Sequence, residues 1–98
     1  MKQSRTLDIA ADHPAYAGHF PNFPVLPGAL LLDAVLRIVA ADRGSALREW
    51  QIASAKFLGA VRPGDALRVE FEGAAQQPIR FNVLAGERKV VSGILHER

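Results

Sequence analysis

Between residues 28 and 43 the chain is apolar at nearly every position: Ala-Leu-Leu-Leu follows Gly28, and Ala-Val-Leu and Ile-Val-Ala-Ala follow Asp33 and Arg37. Pro27-Gly28 opens this stretch, and Gly44 follows Arg43 at its end, so the pattern predicts one helix from residue 28 to residue 42 or 43. Apolar side chains run nearly all round its circumference, which predicts an enclosed helix rather than one laid on a surface. Asp33 and Arg37 interrupt it. They stand four residues apart and therefore share a face.

After Gly44 the period changes. Trp50 to Leu58 carries Ile52, Ala55, Phe57 and Leu58; Leu67-Arg-Val-Glu-Phe-Glu and Ile79-Arg-Phe-Asn-Val-Leu alternate; Lys89 to Leu95 is rich in β-branched residues. Gly59–Asp65, Gly73–Pro78 and Gly86–Arg88 separate these runs as turns. A weaker alternation at Thr6-Leu7-Asp8-Ile9 predicts a strand before the helix. The expectation is an α+β fold, a five-stranded antiparallel sheet wrapped around one central helix, with the last four strands joined as a meander. Its edges and second face are left for a partner subunit.

Composition narrows this. A chain of 98 residues suits one domain, residues 1–98, with a core small enough to gain from pairing with a second copy. The net charge is only +2 with the two signs interspersed, which argues against a nucleic-acid surface built on charge. Cysteine is absent, excluding disulfides and thiolate chemistry. The first residues lack a signal-peptide core, and Ala29 to Ala41 is too short and too interrupted to span a membrane. These features predict a cytoplasmic protein.

The segment from Asp12 to Pro27 holds prolines at 14, 21, 24 and 27, a density that no helix or strand survives. It predicts a long functional loop. Within it His13-Pro14, Gly18-His19-Phe20-Pro21 and Pro24-Val25-Leu26-Pro27-Gly28 lead to Asp33, and downstream come Ala55-Lys56-Phe57 and Val61-Arg62-Pro63-Gly64-Asp65. Over roughly residues 12–72 this resembles the beta-hydroxyacyl-acyl-carrier-protein dehydratases of the hot-dog fold.

The resemblance implies roles position by position. His19 matches the histidine that removes the proton beside the thioester carbonyl, and Asp33 the carboxylic acid that helps the β-hydroxyl leave as water. Gly28 matches the amide donor to the thioester oxygen; Ala29, Val25, Phe20 and Arg37 are further candidates for the oxyanion and substrate side, Arg37 being a departure from the family's pattern. The implied partner is acyl carrier protein. The implied assembly is a homodimer with its site at the subunit interface, or a larger assembly or a pairing with a similar subunit. No metal and no organic cofactor are implied.

The chemistry of the residues runs the same way. Elimination from a thioester needs a base, an acid and a hold on an enolate-like oxygen. Histidine serves as base near neutral pH, and a carboxyl on an apolar helix is biased toward its donating form by desolvation. The first amides of a helix have no internal partner and lie at its positive end, where an oxyanion is stabilised, and Gly28, lacking a side chain, lets a substrate approach closely.

Two readings of Asp33 stand at this point. It serves as the acid, or Arg37, standing where many dehydratases have glutamine, pairs with it structurally and holds it ionised; the other reading of Arg37 is that it points elsewhere and binds a substrate carboxylate or the carrier's phosphate. His13 reads as a loop anchor, His96 as part of a solvated charged tail and Trp50 as core or interface. His13 and His19 lack a third ligand at metal-site spacing. Phe20 and Phe23 line an acyl channel or pack in the core. Arg43, Arg48, Arg62 and Arg68 face an acidic carrier or simply solvate the surface. The expected function is dehydration of (3R)-hydroxyacyl thioesters on acyl carrier protein, with a dehydratase-isomerase as a close variant. A non-catalytic carrier-binding subunit and an acyl thioesterase are the alternatives.

Overall fold

The computed structural model describes residues 2–9, 27–74 and 77–98. Strand β1 spans Gln3–Leu7, helix α1 Gly28–Arg43, β2 Trp50–Phe57, β3 Leu67–Glu72, β4 Ile79–Ala85 and β5 Arg88–Glu97; a single 3-10 turn, Leu47–Glu49, leads from the helix into β2. The five strands form one antiparallel sheet in the order β1-β3-β4-β5-β2.

That order corrects the expected meander. Only β3, β4 and β5 follow one another in space, and β2 lies on the far edge beside β5. The physical reason is in the connections. Gly86-Glu87 forms a tight turn that pairs Ala85 with Arg88, whereas Leu58 to Ala66 is long enough to cross from β2 at the edge, past β5 and β4, to β3. This crossing segment is anchored by Val61, which is buried in the core, and by a turn in which the Asp65 amide donates to the Arg62 carbonyl at 3.1 Å. The Asp65 carboxylate accepts from the Arg62 amide at 2.8 Å.

Strand alternation sets the core. Val69, Phe71, Ile79, Phe81, Val83, Val91 and Leu95 are all essentially inaccessible and face α1, which contributes Leu31, Val35 and Val39. A one-residue register shift between β4 and β5 leaves Val90 as the extra residue, so Val90 and Val91 are both fully buried although adjacent in sequence.

The helix ends as expected. Gly44 is left-handed at φ 67, its amide donates to the Ala41 carbonyl at 3.2 Å, and the Ser45 amide donates to Ala40 at 3.0 Å. Next to it the Trp50 indole donates to Ser45 Oγ at 2.6 Å, which satisfies the one polar atom of a ring that lies in the core.

Two further expectations are corrected. The helix is not enclosed within the single chain: Leu31, Val35, Val39 and Ala40 are buried, while Leu30, Leu32, Ala34, Leu36 and Ile38 are half-buried and Ala29 is exposed. One sheet covers one face of a cylinder, and the rest of an apolar circumference stays open. His96 is not in a solvated tail; it is half-buried within β5, opposite Gln51 of β2.

Candidate active site

The start of α1 is left uncapped. Pro27 is the N-cap, extended at φ −60 and ψ 137, and no side chain caps the helix. Its carbonyl accepts from the amides of Leu30 at 3.1 Å and Leu31 at 3.3 Å. Among the described residues the amides of Gly28 and Ala29 have no acceptor, and there is no acid in the first turn to compensate the helix's positive end.

Gly28 departs from expectation in one respect. The missing side chain does not leave open space for substrate, because Phe57 of β2 fills it: a Cβ on residue 28 would lie 2.6 Å from the ring's Cε1 and 2.7 Å from its Cζ. Phe57 is therefore a candidate site residue that sequence reasoning did not single out. The signal was there, since alternation along Ala55-Lys56-Phe57 sets Phe57 on the helix side, opposite the buried Val91. Yet the ring is 52% exposed. One side of it rests on the helix start, and the rest is open.

Asp33 lies one and a half turns further along α1, on the flank turned away from Leu31, Val35 and Val39. Its Oδ2 accepts from Nε of Arg37 at 2.8 Å, with the Asp33 side chain 44% exposed and that of Arg37 65% exposed. The expectation of a carboxyl sealed among apolar groups does not hold within one chain. Of the two sequence readings of Arg37, the structure has the paired geometry. As a helix element such an exposed i,i+4 pair is worth only about 0.3–0.5 kcal/mol.

His13, His19, Phe20, Phe23 and Val25 fall outside the described residues, so the distance from His19 to Asp33 is not part of this geometry. What the structure brings together is the open helix start, Phe57 above it, Ala29 exposed beside it, and the Asp33–Arg37 pair further along the outer flank. Of the arginines considered for a carrier surface, Arg43 donates to the Gly73 carbonyl at 2.7 Å and Arg68 to the Gly86 carbonyl at 2.6 Å, so both are committed to holding the fold. Among the described residues no group of three or more His, Asp or Glu side chains is placed to hold a metal ion, and no helix is long and apolar enough to cross a membrane.

An antiparallel sheet cradling one apolar helix, with free amides at the helix start and a carboxylate on its outer flank, is the hot-dog architecture. The family model described as ApeI dehydratase matches residues 2–94, and the chain belongs to this ApeI-like dehydratase family. The 3-hydroxyacyl-acyl-carrier-protein dehydratase FabZ of Anoxybacillus flavithermus is 31% identical over 94 residues, covering 89% of this chain. The chain spans 63% of that relative's length.

Among solved structures, the dehydratase heterocomplex ApeI:P from Xenorhabdus doucetiae superposes with a TM-score of 0.70 at 20% identity, covering 99% of this chain and 88% of the other. A point mutant of the fluoroacetyl-CoA thioesterase FlK, in complex with fluoroacetate, superposes almost as well. Its TM-score is 0.68 at 14% identity, over 97% of this chain and 83% of that one. Backbone likeness at this level gives the fold and does not separate a dehydratase from a thioesterase.

Proposed function

We propose that this protein dehydrates (3R)-hydroxyacyl groups, carried as thioesters on acyl carrier protein, to trans-2-enoyl thioesters. The observation that carries the reading is the dehydratase family match over residues 2–94, a span that contains both His19 and Asp33. The thioesterase reading has the fold in its favour but not the family.

In this mechanism His19 removes the proton from the carbon next to the thioester carbonyl. The electron pair moves in to form the new double bond, the bond from the β-carbon to oxygen breaks, and Asp33 delivers a proton so that the oxygen leaves as water. The proton taken by His19 then returns to Asp33. Negative charge that develops on the thioester oxygen is met by the free amides of Gly28 and Ala29 at the positive end of α1. Phe57 bounds this oxygen site on the sheet side, and Phe20 and Val25 line the acyl path.

Asp33 lies on the outer flank of the helix with its side chain 44% exposed, which supports completion of the site by a second chain. The edge strand β2 is the surface for it: every residue from Gln51 to Phe57 is exposed, and Ile52, Phe57 and Leu58 are 37%, 52% and 47% exposed. An uncovered strand edge flanked by apolar side chains favours pairing with another chain. A homodimer meets this need, and the ApeI:P heterocomplex makes a similar but distinct subunit the alternative partner.

A second reading, the non-catalytic carrier-binding subunit, is favoured by one observation, the Asp33–Arg37 pair at 2.8 Å. Absorbance of the enoyl thioester at about 265 nm decides between them, using wild type, His19→Ala and Asp33→Asn at about micromolar protein. Turnover by wild type that both variants lose supports the dehydratase. A silent wild type that still binds acyl carrier protein supports the binding subunit.

A further inference from the structure

We infer that Arg37 is a positioning residue, which fixes the orientation of Asp33 and thereby selects the oxygen that handles the proton; the inference rests on the dehydratase reading above. The hydrogen bond from Arg37 Nε occupies Oδ2 at 2.8 Å and leaves Oδ1 without a partner among the described residues. An aspartate side chain on an exposed helical flank otherwise has a free carboxylate rotation, and its two oxygens interchange. With Oδ2 held, Oδ1 alone is presented to a group lying over the helix.

The surroundings give the pair this meaning. Between Gly28 and Ala41 every other residue of α1 is apolar, and Ala29, Leu30, Leu32 and Leu36 are left half-buried or exposed around it. A surface helix that needed only solubility would carry scattered charges on that flank. Instead there is one carboxylate and one guanidinium, bonded to each other, in an apolar field. Beyond the bonded Nε–H the guanidinium keeps further N–H donors, so the pair carries one oxygen without a partner among the described residues and several donors.

The arrangement is compatible with the acid role of Asp33. With Oδ2 bonded to the guanidinium, Oδ1 is the oxygen left to meet a group of the substrate. When the proton leaves, the guanidinium is already bonded to the carboxylate that results. Arg37 takes no proton itself and makes no bond to the reacting carbons. Its effect reaches the reaction only through Asp33.

The test compares Arg37→Met, Arg37→Lys, Asp33→Asn and the double variant Asp33→Asn/Arg37→Met in the dehydration assay, with the Nε–H proton resonance of Arg37 followed by NMR in the same samples. Loss of positioning is expected to lower kcat about 10- to 100-fold for Arg37→Met with KM changed less than about 3-fold. Arg37→Lys is expected to recover part of kcat, and the double variant to be no slower than Asp33→Asn alone. A KM effect without a kcat effect, or losses that multiply in the double variant, would show that Arg37 acts independently of Asp33 and overturn the inference. The resonance separates positioning from turnover. If wild type is inactive but the Nε–H signal is protected and lost in Asp33→Asn, Arg37 does hold Asp33 and it is the dehydratase reading that fails. If the signal is indifferent to Asp33→Asn, the positioning fails whatever the activity.

Discussion

Phe57 and Gly28 are in contact so close that residue 28 has no room for a side chain: the nearest ring carbon would be 2.6 Å from a Cβ built there. The contact joins the edge strand β2 to the first turn of α1, and it fixes where the free amides of Gly28 and Ala29 stand relative to the sheet. Replacing Gly28 by Ala forces the ring or the helix start to move, and because the atoms met are the far end of a half-exposed side chain the cost is expected to fall below the roughly 1–3 kcal/mol of overpacking a closed core. Phe57→Ala removes the obstacle, so the pair of substitutions together is expected to cost less than their sum. Thermal unfolding of the four proteins checks this, each kcal/mol being worth about 4–8 °C at this size. Additive losses would mean that the ring does not constrain Gly28.

This contact also marks the limit of what the sequence made legible. The helix could be read almost to the residue, because Pro27, Gly28, Arg43 and Gly44 are local signals that act within one turn. Each strand core could be read for the same reason. The position of β2 could not, because nothing in Trp50 to Leu58 says whether the chain next turns back or crosses; that is decided by whether β1 or β2 takes the edge beside β3. With β2 placed in a meander, nothing brings Phe57 to the helix start, and the space at Gly28 reads as room for substrate. The enclosure of α1 was misjudged for a related reason. An apolar circumference states that a helix will be covered, but not whether its own chain does the covering.

The Schellman arrangement at Gly44 gives a backbone test free of packing effects, because nothing lies within 4 Å of a Cβ built there. Gly44→Ala therefore meets only the strain of the left-handed conformation at φ 67, about 1–2 kcal/mol. Gly44→Asn is expected to cost less, since asparagine tolerates this region. Urea unfolding should show a lower midpoint for Gly44→Ala at an unchanged slope. Equal stability of glycine and alanine would show that the helix ends differently in solution.

Trp50 and Ser45 test the joint between helix and edge strand. The indole donates to Ser45 Oγ at 2.6 Å, and the tryptophan is only 4% exposed. Ser45→Ala leaves a buried donor without an acceptor and is expected to cost about 1–3 kcal/mol. In a Trp50→Phe background the same change should cost much less, because the donor is gone. A double-mutant cycle by chemical denaturation measures the difference, and equal costs in both backgrounds would rule out the bond as the reason Ser45 matters.

The exposed row Ile52, Phe57 and Leu58 carries the last prediction, which concerns assembly. Ile52 lies opposite Leu95 and Phe57 opposite Val91, both fully buried, so these two β2 residues share the core-facing side of the sheet, yet they stay exposed, Phe57 even where one side of its ring meets the helix start. Apolar surface in that position is accounted for when a second chain extends the sheet at β2. Wild type is then expected to elute and scatter light as two copies of the 10.6 kDa chain. Ile52→Lys together with Leu58→Asp introduces charge at positions that are already exposed in the single chain, so it should shift the mass toward one copy without unfolding the protein. Glu87→Lys, in the exposed turn between β4 and β5, should leave the mass unchanged. The same Ile52→Lys/Leu58→Asp protein should also lose dehydration, because Asp33 lies on the outer flank with its side chain 44% exposed and the proposed site is completed by the partner chain. A variant that is monomeric and fully active would place both halves of the site within one chain.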